Sequence, residues 1–373
     1  MARDALRLPR PLHPGAWWLW ALGMATAASR TTNPLLLGLI LAVLAYVVAA
    51  RRGDAPWARG FRVYLIASIV IIAIRIVFRM LFDGQYGATV LFTLPEIPLP
   101  DAARGIRVGG PVSLEGILAA FYDGLRLATL LCCFGAASVL ADPKRLLKSM
   151  PSALYEMGVA VTVALTFAPQ LIESGQRVRK ARRLRGDTGR ARHFLRRVVV
   201  PVVEDALERS LMLAAAMDSR GYGRTAELSR GTRVLTGGLM LGGVGGVCVG
   251  VYGLLDGSTP RALGLPMLLV GVALATCGFF VSGRRIHRSV YRPEPWKASE
   301  WLVAACGIAA AAVMFATARV DPANLNPSLN PLQWPQLAIL PSLGILIGAL
   351  PAWIAPPVER TQRTRRDLVE VAA

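Results

Sequence analysis

The sequence predicts an all-α, polytopic membrane protein with about eight transmembrane helices. Hydrophobic residues make up 54% of the chain and charged residues only 17%, which is too little charge to cover a water-soluble protein of 373 residues. Apolar runs of about 20 residues recur along the chain, and each is long enough to cross a hydrocarbon core of about 30 Å. The alternation typical of strands is absent, and backbone groups in lipid must bond within their own segment, so these runs are predicted as helices.

The apolar runs divide the chain into four segments. Residues 1–140 are predicted to hold four N-terminal spans, at 16–29, 33–50, 61–82 and 116–140. Residues 141–232 form a basic cytoplasmic insert, and residues 233–282 hold two more spans, at 233–255 and 263–282. Residues 283–373 are an extension with two further spans, at 299–317 and 336–355, and a basic tail.

Positive charge orients the spans. The net charge is +19, and nearly half of the 42 Lys and Arg residues lie between Ala141 and Arg233. With both termini in the cytoplasm, most basic residues fall on the cytoplasmic side, as the positive-inside rule requires. The charge therefore indicates a multi-pass membrane protein that contacts the lipid bilayer, and does not indicate a nucleic-acid-binding protein.

One apolar stretch conflicts with this rule. Residues 153–172 are apolar enough to cross, but basic loops flank them on both sides. A crossing would place Arg177–Arg233 outside the cell, so we expect the segment to lie flat against, or shallowly in, the inner membrane surface.

Two other segments carry local signals. The basic leader and apolar core before Ala25-Thr26-Ala27 resemble a cleavable signal peptide, whereas the Asn33-Pro34 turn that follows favours an uncleaved helical hairpin. Prolines and glycines predict an irregular or partly re-entrant external loop at Asp83–Glu115, and a second external loop at Asp321–Pro331.

The insert contains two predicted long helices that each end in an arginine followed by a glycine. The first runs to Arg185-Gly186, with a kink expected at Pro169, and the second begins near Pro201 and runs to Arg220-Gly221. A cation and a glycine at a helix end are ordinary capping chemistry, worth tenths to about 1 kcal/mol. Two such ends on neighbouring helices also suit bidentate bonds to an acidic groove of a partner protein.

A glycine ladder marks the predicted span at 233–255. Gly238, Gly242, Gly246 and Gly250 recur at every fourth residue, a pattern that lets another helix approach closely in lipid. The sequence leaves open whether that helix belongs to this chain or to another subunit.

Charged residues within the predicted spans support a competing function. Arg75 and Arg79 share one helix face, and Asp123 and Arg126 share another. Such a network is typical of a proton or substrate relay in a secondary transporter. A structural Asp123–Arg126 pair is the preferred interpretation, because Asp123 is the one clearly intramembrane acid in the predicted spans.

Signatures of catalysis and metal binding are missing from the sequence. It contains no GxxxxGK[ST] phosphate loop, no HExxH and no GxSxG, and its three histidines are isolated. The five cysteines lie in apolar spans without CxxC spacing, which indicates reduced packing residues. The chain is therefore predicted to be neither an enzyme nor a metal-binding protein.

The order of motifs resembles the transmembrane coupling (T) component of energy-coupling-factor ABC importers. The matching pieces lie within roughly residues 12–282: LHP before the first span, Asn33-Pro34, GLRL at Gly124–Leu127, ADPKRLLKSMP, and TFAPQLIESGQRVRKARRLRG followed by AAAMDSRGYG. In that family, Ala-Arg-Gly or Ala-Arg-Ser motifs dock into grooves of two ATPase subunits. The resemblance implies that Leu184-Arg185-Gly186 and Ser219-Arg220-Gly221 are the docking tips, with Leu184 and Ser219 in place of the usual alanine.

The resemblance also implies a function and partners. It implies a non-catalytic subunit in a bacterial cell membrane, which transmits the motion of two cytoplasmic ABC-type ATPases to a substrate-binding membrane (S) subunit for uptake of a vitamin or metal ion. ATP and Mg²⁺ would be bound by the ATPases, and this chain would bind no cofactor. The spans after Tyr291 exceed the usual family length and receive no role. A third interpretation is a membrane anchor for an acidic soluble protein, whose binding would weaken steadily with salt.

Overall fold

Helices dominate the described part of the protein. A computed structural model describes residues 10–53, 60–82, 89–97, 108–149, 154–185, 198–222, 230–256, 260, 263–283 and 295–356. Within these ranges, seven helices are long and apolar enough to cross a membrane. The chain forms two compact units: the first comprises Met1–Leu146 and Pro293–Ala373, and the second comprises Leu147–Arg292. The polytopic all-α prediction is confirmed.

The first unit contains eight helices and two short strands in the described residues. The N-terminal helices are α1 (Pro14–Ser29), α2 (Pro34–Arg51), α3 (Phe61–Phe82), α4 (Leu114–Leu140) and α5 (Pro143–Lys148). Strands β1 (Val90–Ile97) and β2 (Val108–Ser113) lie between α3 and α4. The C-terminal extension supplies α10 (Ala298–Val320), α11 (Ile339–Ile347) and α12 (Pro351–Ile354).

The second unit contains four described helices. These are α6 (Tyr155–Leu184), α7 (Val200–Ser219), α8 (Arg230–Leu255) and α9 (Leu265–Gly283). Helix α6 contains Pro169 and includes most of the apolar stretch that is predicted not to cross. By length and hydropathy alone this helix could span a membrane, so the prediction that it stays on one side rests on its basic flanks.

Local sequence explains where the first helices begin. Asn33 caps α2 by accepting a hydrogen bond from the Leu35 amide at 3.0 Å, and Pro34 takes the first helical position, where a missing N–H costs nothing. Ser113 caps α4 in the same way, accepting from the Gly116 amide at 3.2 Å.

The structure corrects two predictions of regular structure. The last predicted span, 336–355, is not one regular helix: α11 and α12 are joined by a turn at Gly348–Leu350, whose amides donate to carbonyls three residues back, and Pro351 has no N–H to restore the helical ladder. The loop predicted as irregular holds an antiparallel hairpin, in which Leu94 of β1 pairs with Gly110 of β2. Gly109 and Gly110 have φ of +90° and +109°, which a side chain would resist.

Helix α1 lies at the centre of the first unit, with α4 and α10 packed against it. Trp20 is fully buried, and its Nε1 donates to the Gly348 carbonyl at 3.0 Å. A Cβ on Gly23 would overlap the backbone of Gly307 on α10. The two helices are therefore in backbone contact, and the extension is an integral part of this core.

Polar bonds hold the extension at both ends of the α1–α2 hairpin. At one end, Arg10 makes a bidentate ion pair with Glu300, at 3.0 and 3.1 Å, and Arg51 Nε donates to the Ala352 carbonyl at 2.8 Å. At the other end, Asn33 Nδ2 donates to the carbonyls of Asn324 and Gln336, at 3.1 and 2.8 Å. The bonds from Arg51 and Asn33 satisfy backbone carbonyls of the extension, and the bonds from Arg10 pair the buried Glu300 carboxylate.

Candidate functional site

The end of α7 has the geometry that its Arg-Gly sequence predicts. Arg220 is the C-cap residue that follows the last helical residue of α7, and Gly221 has φ of +77°. The Gly221 amide donates to the Asp218 carbonyl at 2.9 Å, and the Tyr222 amide donates to the Met217 carbonyl at 3.0 Å. This pair of bonds is the Schellman motif, in which glycine accepts the left-handed conformation without strain.

The end of α6 resembles that of α7 as far as Arg185. The Arg185 amide donates to the Ala181 and Arg182 carbonyls at 3.2 and 3.0 Å, so Arg185 closes the last turn of the helix. Gly186 lies outside the described residues, as does Asp187, the residue that follows it. Both helices thus end on an arginine whose own backbone caps the helix.

The side chains at both tips face outward. Leu184 is 82% exposed, and Arg185, Ser219 and Arg220 are exposed as well. Neither arginine forms an ion pair with any residue in the described ranges. A guanidinium group has a planar set of donors that can bind a carboxylate of another protein in a bidentate manner.

Helices α6 and α7 are joined by a polar cluster that sequence reasoning did not find. Ser174 Oγ on α6 donates to Asp205 Oδ2 on α7 at 2.6 Å. Arg209 Nε donates to Asp205 Oδ1 at 3.0 Å, and Arg177 Nη2 lies 3.8 Å from Oδ2. We call these four residues the Asp205 clasp. Its sequence signal is weak, since the position of Asp205 indicates only a favourable charge near the helix N-terminus.

The clasp keeps Asp205 ionised. The hydrogen bonds from the Ser174 hydroxyl and then the Arg209 guanidinium lower the pKa of Asp205 below its ordinary value, and the charges of Arg209 and Arg177 add to this effect. Both oxygens of the carboxylate have donors, so its orientation is set from two helices.

An apolar stripe runs along α7 and is uncovered in the described residues. Val203, Leu207 and Leu211 recur on one face, and each is more than half exposed. No residue of α7 is buried in the structure as described. An exposed apolar row of this kind is typical of a surface that another protein or a lipid covers.

The predicted glycine ladder of α8 is divided between two faces. Gly246 and Gly250 pack against α9, where an added Cβ would lie 2.8 Å from Gly271 Cα and 2.5 Å from Leu268 Cα. A Cβ added to Gly238 or Gly242 would have no atom within 4 Å. The ladder turns away because each four-residue step overshoots a full helical turn by about 40°, so three steps rotate the face by about 120°.

The glycines that do line the α8–α9 contact follow alternating steps of three and four residues. A Cβ on Gly243 would lie 2.5 Å from the Ala275 backbone, and one on Gly253 would lie 2.5 Å from the Leu263 carbonyl oxygen. Together with Gly246 and Gly250 they stay on one face of the helix, because steps of three and four residues fall on either side of the helical period of about 3.6 and their rotations partly cancel.

The intramembrane charges form different pairs from the one preferred on sequence. Arg75 Nη2 on α3 lies 3.4 Å from Asp123 Oδ2 on α4, whereas Arg126 donates to the Ser29 carbonyl at the end of α1. The predicted Asp123–Arg126 pair is therefore wrong. Arg126 is instead drawn to the negative end of the α1 dipole, and Asp123 meets a cation across the helix interface.

Arg79 lies beside this ion pair at a cavity. The cavity has a volume of about 250 Å³ and is lined by Arg75, Phe78, Arg79, Phe82, Ala120 and Asp123. The Arg75–Asp123 pair is about half exposed on both sides. It joins α3 to α4.

The cysteines do not form a metal or redox centre in the ranges that the structure covers. All five thiols are free; Cys132, Cys133 and Cys306 are buried, and Cys248 and Cys277 are exposed. No group of three or more metal-ligating side chains occurs among the described residues.

Comparison with known proteins identifies the family. A family model described as cobalt transport protein, CbiQ, matches residues 7–229. The energy-coupling factor transporter transmembrane protein EcfT of Thermanaerovibrio acidaminovorans is 33% identical over 135 residues, which are 31% of this chain and 50% of that protein. EcfT of Lactococcus lactis subsp. cremoris is 27% identical over 201 residues, or 49% of this chain and 68% of that protein.

A third relative extends the same pattern. EcfT of Leuconostoc gelidum subsp. gasicomitatum is 28% identical over 192 residues, which are 44% of this chain and 71% of that protein. The chain thus spans half the length of the first relative and about two thirds of the other two. The family match covers more than half of the chain and includes both Arg-Gly tips. The chain therefore belongs to the CbiQ family of cobalt transport proteins and is a transmembrane component of an energy-coupling-factor transporter, a transport component and not a catalytic subunit.

Proposed function

We propose that this chain couples ATP hydrolysis to uptake by carrying motion from two cytoplasmic ABC-type ATPases to a substrate-binding membrane subunit. The observation that carries the proposal is the pair of exposed arginine tips, Arg185 and Arg220, at the ends of two helices joined by the Asp205 clasp. Each tip is shaped by its own helix end and offers a bidentate donor to an acidic groove.

The cargo in this proposal is a vitamin or a metal ion that the membrane subunit, not this chain, would recognise. The family description names cobalt, and a cobalt ion would then be the transported substrate. ATP and Mg²⁺ would be held by the ATPases, and this chain would contribute its tips and helices.

Capture of the ATPases tests the proposal directly. The tagged chain is expressed with its candidate ATPases and purified in detergent, as wild type and with Arg185→Glu plus Arg220→Glu. We expect the double variant to insert normally and to lose the ATPases, because each change places a carboxylate against an acidic groove. The control is Lys180→Glu, which makes the same charge change as either single substitution, on an exposed residue of α6, and should retain the ATPases.

The proposal also requires the tips to lie in the cytoplasm. An Asp187→Cys variant in a Cys248→Ala, Cys277→Ala background should resist a membrane-impermeant maleimide in intact cells, and Gln333→Cys should react. Labelling of the position at 187 from outside would contradict both the topology and the docking role.

The alternative function is a stand-alone secondary transporter that uses the Arg75–Asp123 pair and its cavity of about 250 Å³. It predicts that transport persists in the Arg185→Glu, Arg220→Glu variant and is lost in Asp123→Asn. The coupling proposal predicts that transport is lost in the Arg185→Glu, Arg220→Glu variant and persists in Asp123→Asn.

A further inference from the structure

We propose that Asp205 is a positioning residue that holds α6 and α7 at a fixed crossing, so that the two arginine tips move as one body. The mechanical meaning of this clasp rests on the proposed function, but its existence does not.

Apolar side chains on these two helices are at most partly buried in the described residues, as at Val178 on α6 and at Val202 and Leu213 on α7. Leu171 and Ile172 on α6 are exposed, as are Leu207 and Leu211 on α7. By contrast, Ser174 is only 4% exposed, although it is polar and lies in a helix that is otherwise mostly open. The most protected contact between the helices is therefore the hydroxyl that faces Asp205.

The bonds of the clasp are directional. Ser174 Oγ and Arg177 Nη2, both from α6, approach Asp205 Oδ2 at 2.6 and 3.8 Å. Arg209, one turn further along α7, occupies Oδ1 at 3.0 Å and prevents the carboxylate from rotating. Charge-assisted bonds of this kind fix geometry more tightly than apolar contacts do, because they weaken steeply with angle.

The clasp lies far from both tips. At roughly 1.5 Å per residue, Ser174 is about 16 Å along α6 from Arg185, and Asp205 is about 22 Å along α7 from Arg220. A small rotation at the clasp therefore produces a displacement of several ångströms at each tip. Without the clasp, a pull on one tip would bend one helix and leave the other in place.

Pro169 divides α6 into two parts. It lies inside the helix, shortly before Ser174, and its missing N–H removes a backbone bond there. The part of α6 that follows Pro169 is thus the part that the clasp ties to α7.

Distances between spin labels test the clasp in the full chain without any partner. Labels are placed through Leu184→Cys and Met212→Cys in the Cys248→Ala, Cys277→Ala background, since both positions are well exposed. We expect one narrow distance distribution for the parent, and one about twice as broad with Asp205→Ala, because local order depends on the few contacts that remain. Glu204→Ala, which removes a carboxylate one residue away, should leave the distribution narrow.

An exchange variant separates positioning from misfolding. Ser174→Asp combined with Asp205→Ser restores a hydroxyl–carboxylate pair, with the carboxylate now on α6 and the hydroxyl on α7. This variant should narrow the distance distribution again. An Asp205→Ala distribution as narrow as the parent's, or an exchange that fails to narrow it, would overturn the proposal.

A second readout connects the clasp to transport. With the ATPases present, Asp205→Ala should still capture them through its intact tips, while uptake per ATP hydrolysed falls. If even the wild-type chain captures no ATPase, the proposed function is wrong. The spin-label distances would still show whether Asp205 fixes the crossing of α6 and α7. If capture is lost together with uptake in Asp205→Ala, the residue acts in docking and the positioning role is wrong.

Discussion

The α1–α10 core and the α6–α7 pair hold helices together in opposite ways. In the first, backbones touch at Gly23 and Gly307, and bulky side chains such as Trp20 are fully buried. In the second, large apolar side chains remain exposed and a four-residue polar clasp makes the protected contact. A helix pair with a dry, interlocked interface resists rearrangement, whereas one joined by a few directional bonds keeps its surfaces available to partners.

The largest expected effect is in the core. Gly307→Leu should lower the stability of the detergent-purified protein by about 3 kcal/mol, because the new side chain meets the Trp20 backbone and not a flexible group. The measurement is the apparent unfolding temperature. Gly38→Leu is the control, since nothing lies within 4 Å of its Cβ position; equal losses in the two variants would contradict the backbone contact.

The next effect concerns the buried carboxylate that anchors the extension. Arg10→Ala leaves Glu300, which is 1% exposed, without its cation and should destabilise the core by about 2–3 kcal/mol. Adding Glu300→Gln removes the uncompensated charge, so the double variant should unfold at a higher temperature than Arg10→Ala alone. The absence of any recovery would show that the ion pair is not what holds Glu300.

A smaller effect, on ATPase affinity, is expected at the α7 tip, where the α6–α7 pair would contact its proposed partner. Gly221→Ala forces a side chain into φ of +77°, which costs about 1 kcal/mol. If docking needs this helix end, ATPase affinity should fall about fivefold, in line with that free energy. Gly231→Ala, at a glycine without positive φ and with open space around it, should leave the affinity unchanged.

The smallest effect is expected from pH. Because the pKa of Asp205 is lowered in the folded protein, its contribution is complete above the ordinary aspartate value of about 3.9 and is lost only as pH falls through the lowered value. The spin-label distribution should therefore be the same at about pH 8 and about pH 5. Broadening between those values would mean that another group controls the crossing.

The sequence predicted most of the helices because long apolar runs and caps are local signals. Asn33-Pro34 marked the start of α2, and Arg220-Gly221 marked the end of α7, where one glycine with positive φ completes the cap. The hairpin before α4 was missed because its register depends on two positive-φ glycines and not on alternation.

The candidate site was predicted less completely than the helices. Both arginine tips follow from sequence, because a helix end is defined by the few residues around it. The clasp was missed because Ser174 and Asp205 are far apart in the chain, and neither residue type is unusual in a polar helix. The charge pairs were misassigned for the same reason: Arg75 and Arg126 found partners on other helices.

The amino-acid sequence by itself determined that this protein is a multi-pass helical membrane protein of the energy-coupling-factor type, with two arginine-ended helices. Only the tertiary structure decided that the extension packs into the first unit, that Gly243 and Gly253 replace Gly238 and Gly242 in the α8–α9 contact, and that Asp205 ties α6 to α7. Helix formation and capping depend on neighbours within a turn, whereas contacts between helices depend on rotation about each axis, which small departures from the helical period change.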